Sequence, residues 1–150
     1  MTRQSIVGRK LTGFSVDIER DPLRFFARTI GDLRPECHDV AAARAAGLPD
    51  LLVPPTYLFS LELRRPEPYR ALDLLGADLS AALHAGETFT YHRQCFAGDR
   101  LDFELAVTGY TEKREGTLGL LERTATVTRH GEPVAELTNV LAIQWDRAAA

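Results

Sequence analysis

The second half of the chain carries the pattern that limits its fold most. In LDFELAVTGY (101–110), Leu101, Phe103, Leu105 and Val107 fall on one side and polar residues on the other. LLERTATVTR (120–129) and PVAELTNVLAIQW (133–145) repeat that texture on either side of His130-Gly131. A period of two marks a strand with one buried and one wet face, and a tight turn between two such runs predicts a hairpin. TFTYHRQCF (88–96) reads as a further strand, with Phe89, Tyr91, Arg93 and Cys95 on one side and Ala97-Gly98-Asp99 as the turn after it. Long antiparallel strands of this kind need an apolar partner on their inner face.

The partner is in the first half. VPPTYLFSLELR (53–64) opens on Pro54-Pro55 and is apolar on nearly every side from Thr56 to Leu63. A helix apolar all round belongs inside a protein. Elsewhere residues 1–65 alternate short helical signals with loops. Asp21-Pro22 predicts a helix start with Asp21 as cap, followed by Leu23, Phe26, Ala27 and Ile30 on one face and Gly31 as terminator. A second short helix is expected over 40–46, capped by Asp39 and stopped by Gly47. Pro66, Pro68 and Gly76 break up the stretch from Arg64 to Gly86, which predicts a long connection with one weak helical turn near Leu72. The expected fold class is α+β, an antiparallel sheet wrapped around one helix, with residues 1–150 forming one domain.

Composition narrows the function classes. At 150 residues the chain can bury a sizeable core. A formal net charge of −3 does not suit a nucleic-acid binder. No apolar run reaches the roughly 18–20 residues that span a bilayer, and the N-terminus leads into no apolar signal region, so the expectation is a cytoplasmic protein with no membrane partner. Two cysteines, Cys37 and Cys95, are too few for a disulfide framework. Cys37, His38 and Asp39 are contiguous, and contiguous ligands rarely reach one ion, so neither a metal nor a cofactor is expected.

The chemistry-bearing stretch is IGDLRPECHD (30–39). A carboxylate at Asp32 and an imidazole at His38 suit acid–base work. Both also have plain structural readings: Asp32 as a turn residue bonded to nearby backbone, His38 as a loop side chain. Cys37 beside His38 does not make a nucleophile pair, because adjacent side chains do not naturally face each other and no third orienting residue is evident. His84 and His130 read as loop and turn residues.

The order of elements and these motifs together resemble the MaoC-like hydratases and dehydratases of the hot-dog superfamily, in particular the N-terminal-type domain of mycobacterial-type (3R)-hydroxyacyl-ACP dehydratase subunits. The residues that carry the resemblance are Val7-Gly8-Arg9, FFARTIGDLRPECHD, AARAAGLPDLLVPPTYLFSL and LHAGETFTYHRQCFAGDRL. In active members a Gly-Asp pair is followed by Asn-Pro, an aliphatic residue, His, any residue and Asp. The Asp and His form a dyad that interconverts β-hydroxyacyl and trans-2-enoyl thioesters, and a backbone N–H in a His-Gly pair at the start of the buried helix polarises the thioester carbonyl. Aligned without gaps, Gly31, Asp32, Pro35 and Asp39 match. Arg34 replaces Asn, Glu36 replaces the aliphatic residue, and Cys37 occupies the position of the catalytic His, with His38 one place late. Pro54-Pro55 lies where His-Gly belongs, and proline has no backbone N–H.

The resemblance therefore implies a component or homologue of a (3R)-hydroxyacyl-thioester dehydratase or enoyl hydratase, a lyase that is weak alone. Its expected partners are an acyl-CoA or acyl-ACP thioester and a second hot-dog subunit, either another copy or a MaoC-like chain with an intact Asp/His dyad. Asp32 and His38 are the catalytic candidates. The substrate-binding candidates are Pro55, Thr56, Tyr91, His92 and Arg93. Arg64, Arg65 and Arg70 form a basic cluster, of which Arg64 and Arg65 are the candidates for CoA phosphates or an acidic carrier protein. Two alternatives stay open: a non-catalytic acyl-thioester-binding subunit, and an acyl-CoA thioesterase, for which Thr56, Tyr57 and Glu62 are the polar groups available on the central helix.

Overall fold

The computed structural model describes residues 3–145. Five strands form one antiparallel sheet: β1 (Lys10–Asp17), β2 (Ala82–Tyr91), β3 (Arg100–Lys113), β4 (Leu118–Arg129) and β5 (Glu132–Gln144), in the order β1-β3-β4-β5-β2. The expected hairpin is present: β4 and β5 pair from Leu118↔Gln144 to Arg129↔Glu132 around a turn in which His130 and Gly131 both have positive φ. Register shifts in all four strand pairs, one of them between His84 and Gly86, mark bulges that bend the sheet. At the bulge in β1, Gly13 lies so close to β3 that a Cβ would sit 2.9 Å from the Phe103 carbonyl oxygen.

Four helices precede or interrupt the strands: α1 (Arg20–Thr29), α2 (Val40–Ala45), α3 (Tyr57–Glu62) and α4 (Arg70–Leu75). α3 is the covering helix. Its Tyr57, Leu58 and Leu61 are buried in one cluster with Leu101, Phe103 and Leu105 of β3, Ala125 and Val127 of β4, and Leu137 of β5. This is the hot-dog arrangement, α+β, with the apolar face of the sheet closed over a short helix.

Several sequence expectations are corrected in detail. A strand was not expected before residue 65, yet β1 lies there and forms one edge of the sheet. β2 starts at Ala82, inside what reads as a connection, and stops at Tyr91, so His84 is a strand residue and Arg93 and Cys95 lie past the strand end. The reason is local: Arg93 turns out to Glu132 and to the Pro133 carbonyl, while Val53 N–H bonds Cys95 O and draws that segment towards α3. α4 and a 3-10 turn at Leu79–Ala81 fill the rest of the supposed connection. Asp21 is not the cap of α1; the helix begins one residue earlier, and Asp21 pairs with Arg24 in its first turn at 3.1 Å. Ile30 is half exposed rather than part of the buried face. Asp39 does cap α2, accepting from Ala42 N–H at 2.9 Å.

Candidate functional site

The loop between α1 and α2 is shaped by its main chain. Asp32 N–H donates to Ala27 O at 2.9 Å, Leu52 N–H to Glu36 O at 2.9 Å, and the Arg24 guanidinium to His38 O at 2.8 Å. Pro35–Cys37 forms a 3-10 turn that sends the Cys37 side chain inward, where it is fully buried, and leaves His38 half-buried.

That frame keeps Asp32 and His38 near each other without making a dyad. The Asp32 carboxylate is held by the Arg34 guanidinium, with Nη2 at 2.6 Å from Oδ2 and Nε at 2.9 Å from Oδ1. The Cys37 thiol donates weakly to the same carboxylate, at 3.7 Å. The hydrogen bonds from Arg34 draw the Asp32 carboxyl down to about 2, well below its ordinary value. Burial, and then the Asp32 charge, push the Cys37 thiol up. His38 Nε2 lies 2.6 Å from the backbone carbonyl oxygen of Asp32, not from its carboxylate. A carbonyl can only accept, so Nε2 carries the proton and the basic nitrogen of neutral His38 is Nδ1. Asp32 is thus an ionised carboxylate already neutralised by a cation, a poor proton acceptor near neutral pH.

Beside this loop lies a cavity of about 370 Å³ whose walls include Arg34, Pro55, Tyr91, His92, Arg93 and Cys95. It brings together four of the substrate-binding candidates, Pro55, Tyr91, His92 and Arg93, with the signature-loop residue Arg34. Tyr91 Oη donates to the Pro55 carbonyl, which ties the end of β2 to the entry of α3; burial pushes the Tyr91 hydroxyl up. Cys95 is buried, and burial pushes its thiol to about 12. Thr56 is exposed at the start of α3 and does not line the cavity, and Arg64 is exposed past the helix end.

Arg65 overturns its expected role. Only 7% exposed, it turns inward and donates to Glu62 Oε1 at 3.0 Å and to the Pro68 carbonyl, so it is not available to a phosphate. Burial lowers its guanidinium to about 10. Glu62, 1% exposed, also faces Arg123 at 3.5 Å and lies outside the cavity. The thioesterase alternative has no carboxylate or hydroxyl of α3 facing the cavity.

The residues that sequence reasoning missed form a row across the inner sheet face. Arg123 on β4 pairs with Asn139 on β5, and Asn139 with Glu87 on β2. Arg123 Nη2 donates to Asn139 Oδ1 at 2.7 Å, and Asn139 Nδ2 to Glu87 Oε2 at 2.8 Å. The signal was present: Leu121, Arg123, Ala125 and Val127 share one parity, as do Ala135, Leu137, Asn139 and Leu141, so a charge and an amide interrupt apolar faces.

Comparison with known proteins places this geometry. Residues 5–137 match the family described as "FAS1-like, dehydratase domain region". A UPF0336 protein of Saccharopolyspora erythraea is 34% identical over 139 residues, covering 92% of this chain and 88% of that protein. A UPF0336 protein of Streptomyces coelicolor is 37% identical over 99 residues, 65% of this chain and 66% of its own length. Among solved structures, the (3R)-hydroxyacyl-ACP dehydratase complex HadBC of Mycobacterium tuberculosis superposes with a TM-score of 0.76 at 22% identity, over 94% of this chain and 99% of that one. A MaoC-like dehydratase gives 0.82 at 23% identity, over 96% of this chain and 44% of the other. The chain belongs to the FAS1-like dehydratase-region family and carries the hot-dog fold of the MaoC-like dehydratases.

Proposed function

We propose that the chain is the acyl-thioester-holding subunit of a (3R)-hydroxyacyl-thioester dehydratase or enoyl hydratase, and that a second hot-dog subunit with an intact Asp/His dyad completes the reaction. The observation that carries this is the state of Asp32: its carboxylate is spent on Arg34, and the nearby imidazole bonds its backbone instead. In hydration a base takes a proton from water, the oxygen adds to C3 of the enoyl thioester, and C2 takes up a proton. Asp32 is poorly placed to begin that sequence, and Pro55 offers no N–H to the thioester carbonyl. Losing one such donor typically costs about 10²–10³ in rate, and losing a general base about 10²–10⁴. What remains is a cavity beside Tyr91, His92 and Arg93 that suits the thioester end of a CoA or carrier-protein substrate.

The partner belongs on β2. It is a ten-residue edge strand with Leu83 72% exposed, and an unprotected edge of that length favours pairing with another strand. The HadBC and ChsH1-ChsH2 structures, both described as complexes, support an assembly of two hot-dog chains. The test is hydration of crotonyl-CoA and longer enoyl-CoA thioesters. The purified chain turns over poorly or not at all, and a partner with an intact dyad restores activity. Robust turnover by this chain alone, lost in both Asp32→Asn and His38→Ala, would show that His38 Nδ1 serves as the base and would refute the accessory role.

A further inference from the structure

The signature loop and the cavity meet at one residue. Arg34 lines the cavity, whereas Asp32, Cys37 and His38 do not. What the loop presents to a ligand is therefore a guanidinium, which can only donate, and not a carboxylate. The guanidinium is also fixed. Asp32 takes Arg34 Nε at 2.9 Å and Nη2 at 2.6 Å, and its Oδ1 accepts from the Arg34 main-chain N–H at 3.2 Å. The third nitrogen, Nη1, has no part in that fork and remains a donor.

The other polar groups of the wall are less suited to hold a ligand. Tyr91 Oη spends its proton on the Pro55 carbonyl. Arg93 spends Nη1 on the Pro133 carbonyl at 2.7 Å and Nη2 on Glu132 at 2.9 Å. His92 and Gln94 are exposed and have no comparable anchor among the described residues. Pro55 lines the cavity at the entry of α3 and has no N–H to offer. Both guanidiniums are ion-paired, Arg34 with Asp32 and Arg93 with Glu132, and among the described residues no carboxylate lines the cavity. The site thus offers donors whose charge is already balanced. A neutral acceptor suits it better than an anion, because a paired guanidinium attracts a second negative charge only weakly.

We infer that Arg34 Nη1 is the donor that holds the thioester carbonyl of the acyl ligand, the part that Pro55 has no N–H to fill. The inference deepens the acyl-thioester-holding role above and rests on it. A donor fixed before the ligand arrives loses little freedom on binding, so its hydrogen bond adds to affinity. It also makes the subunit select a carbonyl at the carbon beside sulfur, since a thioether gives Nη1 nothing to donate to.

Isothermal titration of the intact chain with butyryl-CoA and with S-butyl-CoA tests it. The two ligands share the nucleotide, the pantetheine arm and the alkyl length, and differ in the carbonyl oxygen. The expected result is binding at least about tenfold tighter for butyryl-CoA, the scale of a hydrogen bond from a charged group. In Arg34→Met, which keeps an unbranched stem and removes every donor, the ratio between the two ligands falls towards one. The path of the loop rests on bonds from Asp32 N–H, Leu52 N–H and the Arg24 guanidinium, none of which involves the Arg34 side chain, so the variant keeps the fold. Equal binding of the two ligands by the unmodified chain, or a ratio that survives Arg34→Met, overturns the inference and leaves the acyl-thioester-holding role standing. Binding of neither ligand overturns both.

Discussion

Removing the Arg34 guanidinium exposes how much the Asp32 ion pair contributes. The Asp32 carboxyl falls from an ordinary 3.8 to about 2 in the fold, chiefly through its hydrogen bonds from Arg34. At about 1.36 kcal/mol per pH unit, that difference sets a ceiling near ~2.5 kcal/mol of stability at neutral pH. Asp32 is 14% exposed, but Arg34 is 51% exposed, and solvent screening of a half-exposed partner brings the expected figure to about 1 kcal/mol. The folded-state value is depressed, so the contribution is complete above the ordinary carboxylate value and is lost as pH falls through it towards about 2. Arg34→Ala should therefore be less stable than the parent at pH 7 by about 1 kcal/mol, or ~2–4 °C in Tm for a chain of this size. The gap should close as pH is lowered towards 2. Urea unfolding of both proteins across that range measures it. A gap of unchanged size at low pH would mean that Arg34 acts through packing and that the carboxylate is not paired as described.

Three further outcomes follow from buried groups. Gly119→Ala should destabilise by ~1–3 kcal/mol, the scale of overpacking, because its Cβ would lie 2.5 Å from Tyr110 Oη and 2.7 Å from Trp145 Nε1; adding Tyr110→Phe should recover part of the loss in denaturant titrations. Arg123→Ala should cost ~1–3 kcal/mol, because Asn139 loses its donor while Glu62 keeps Arg65 as a partner, and Arg123→Met, which refills part of the volume, should cost less in the same unfolding assay. Burial holds both thiols up, Cys95 to about 12, so Ellman's reagent at pH 8 should leave both unreacted in the folded protein and label both in denaturant; prompt labelling of Cys95 would contradict its burial.

The strands β3, β4 and β5 were legible because each buries one face, and burial writes a period of two into the sequence. α3 was legible because its surroundings are apolar on nearly all sides. β1 was hidden because it is an edge strand: of KLTGFSVD no residue is fully buried, so no clean alternation is imposed. The start of β2 was hidden for the same reason, and by the bulge at His84/Gly86 that breaks its parity. In the site, Cys37, which takes the aligned position of the catalytic His, is buried, and His38, one place later, is half-buried with Nε2 on the Asp32 carbonyl. What no local pattern shows is that Arg34 reaches back to Asp32, or that Arg65 turns inward. Both are choices of long side chains among partners brought together by the fold.

The loop after α1 has its shape specified by main-chain partners: Ala27 O, the Leu52 N–H, and the Arg24 grip on His38 O. None of the three depends on which side chain stands at position 34 or 37. Form and reactivity are therefore separable in this segment. A lineage can exchange the reactive groups while the loop keeps its path, so that loss of chemistry is conformationally neutral and its recovery requires only side-chain changes. A loop of that kind acts as a socket, and the same backbone suits a catalyst or a non-catalytic companion to one.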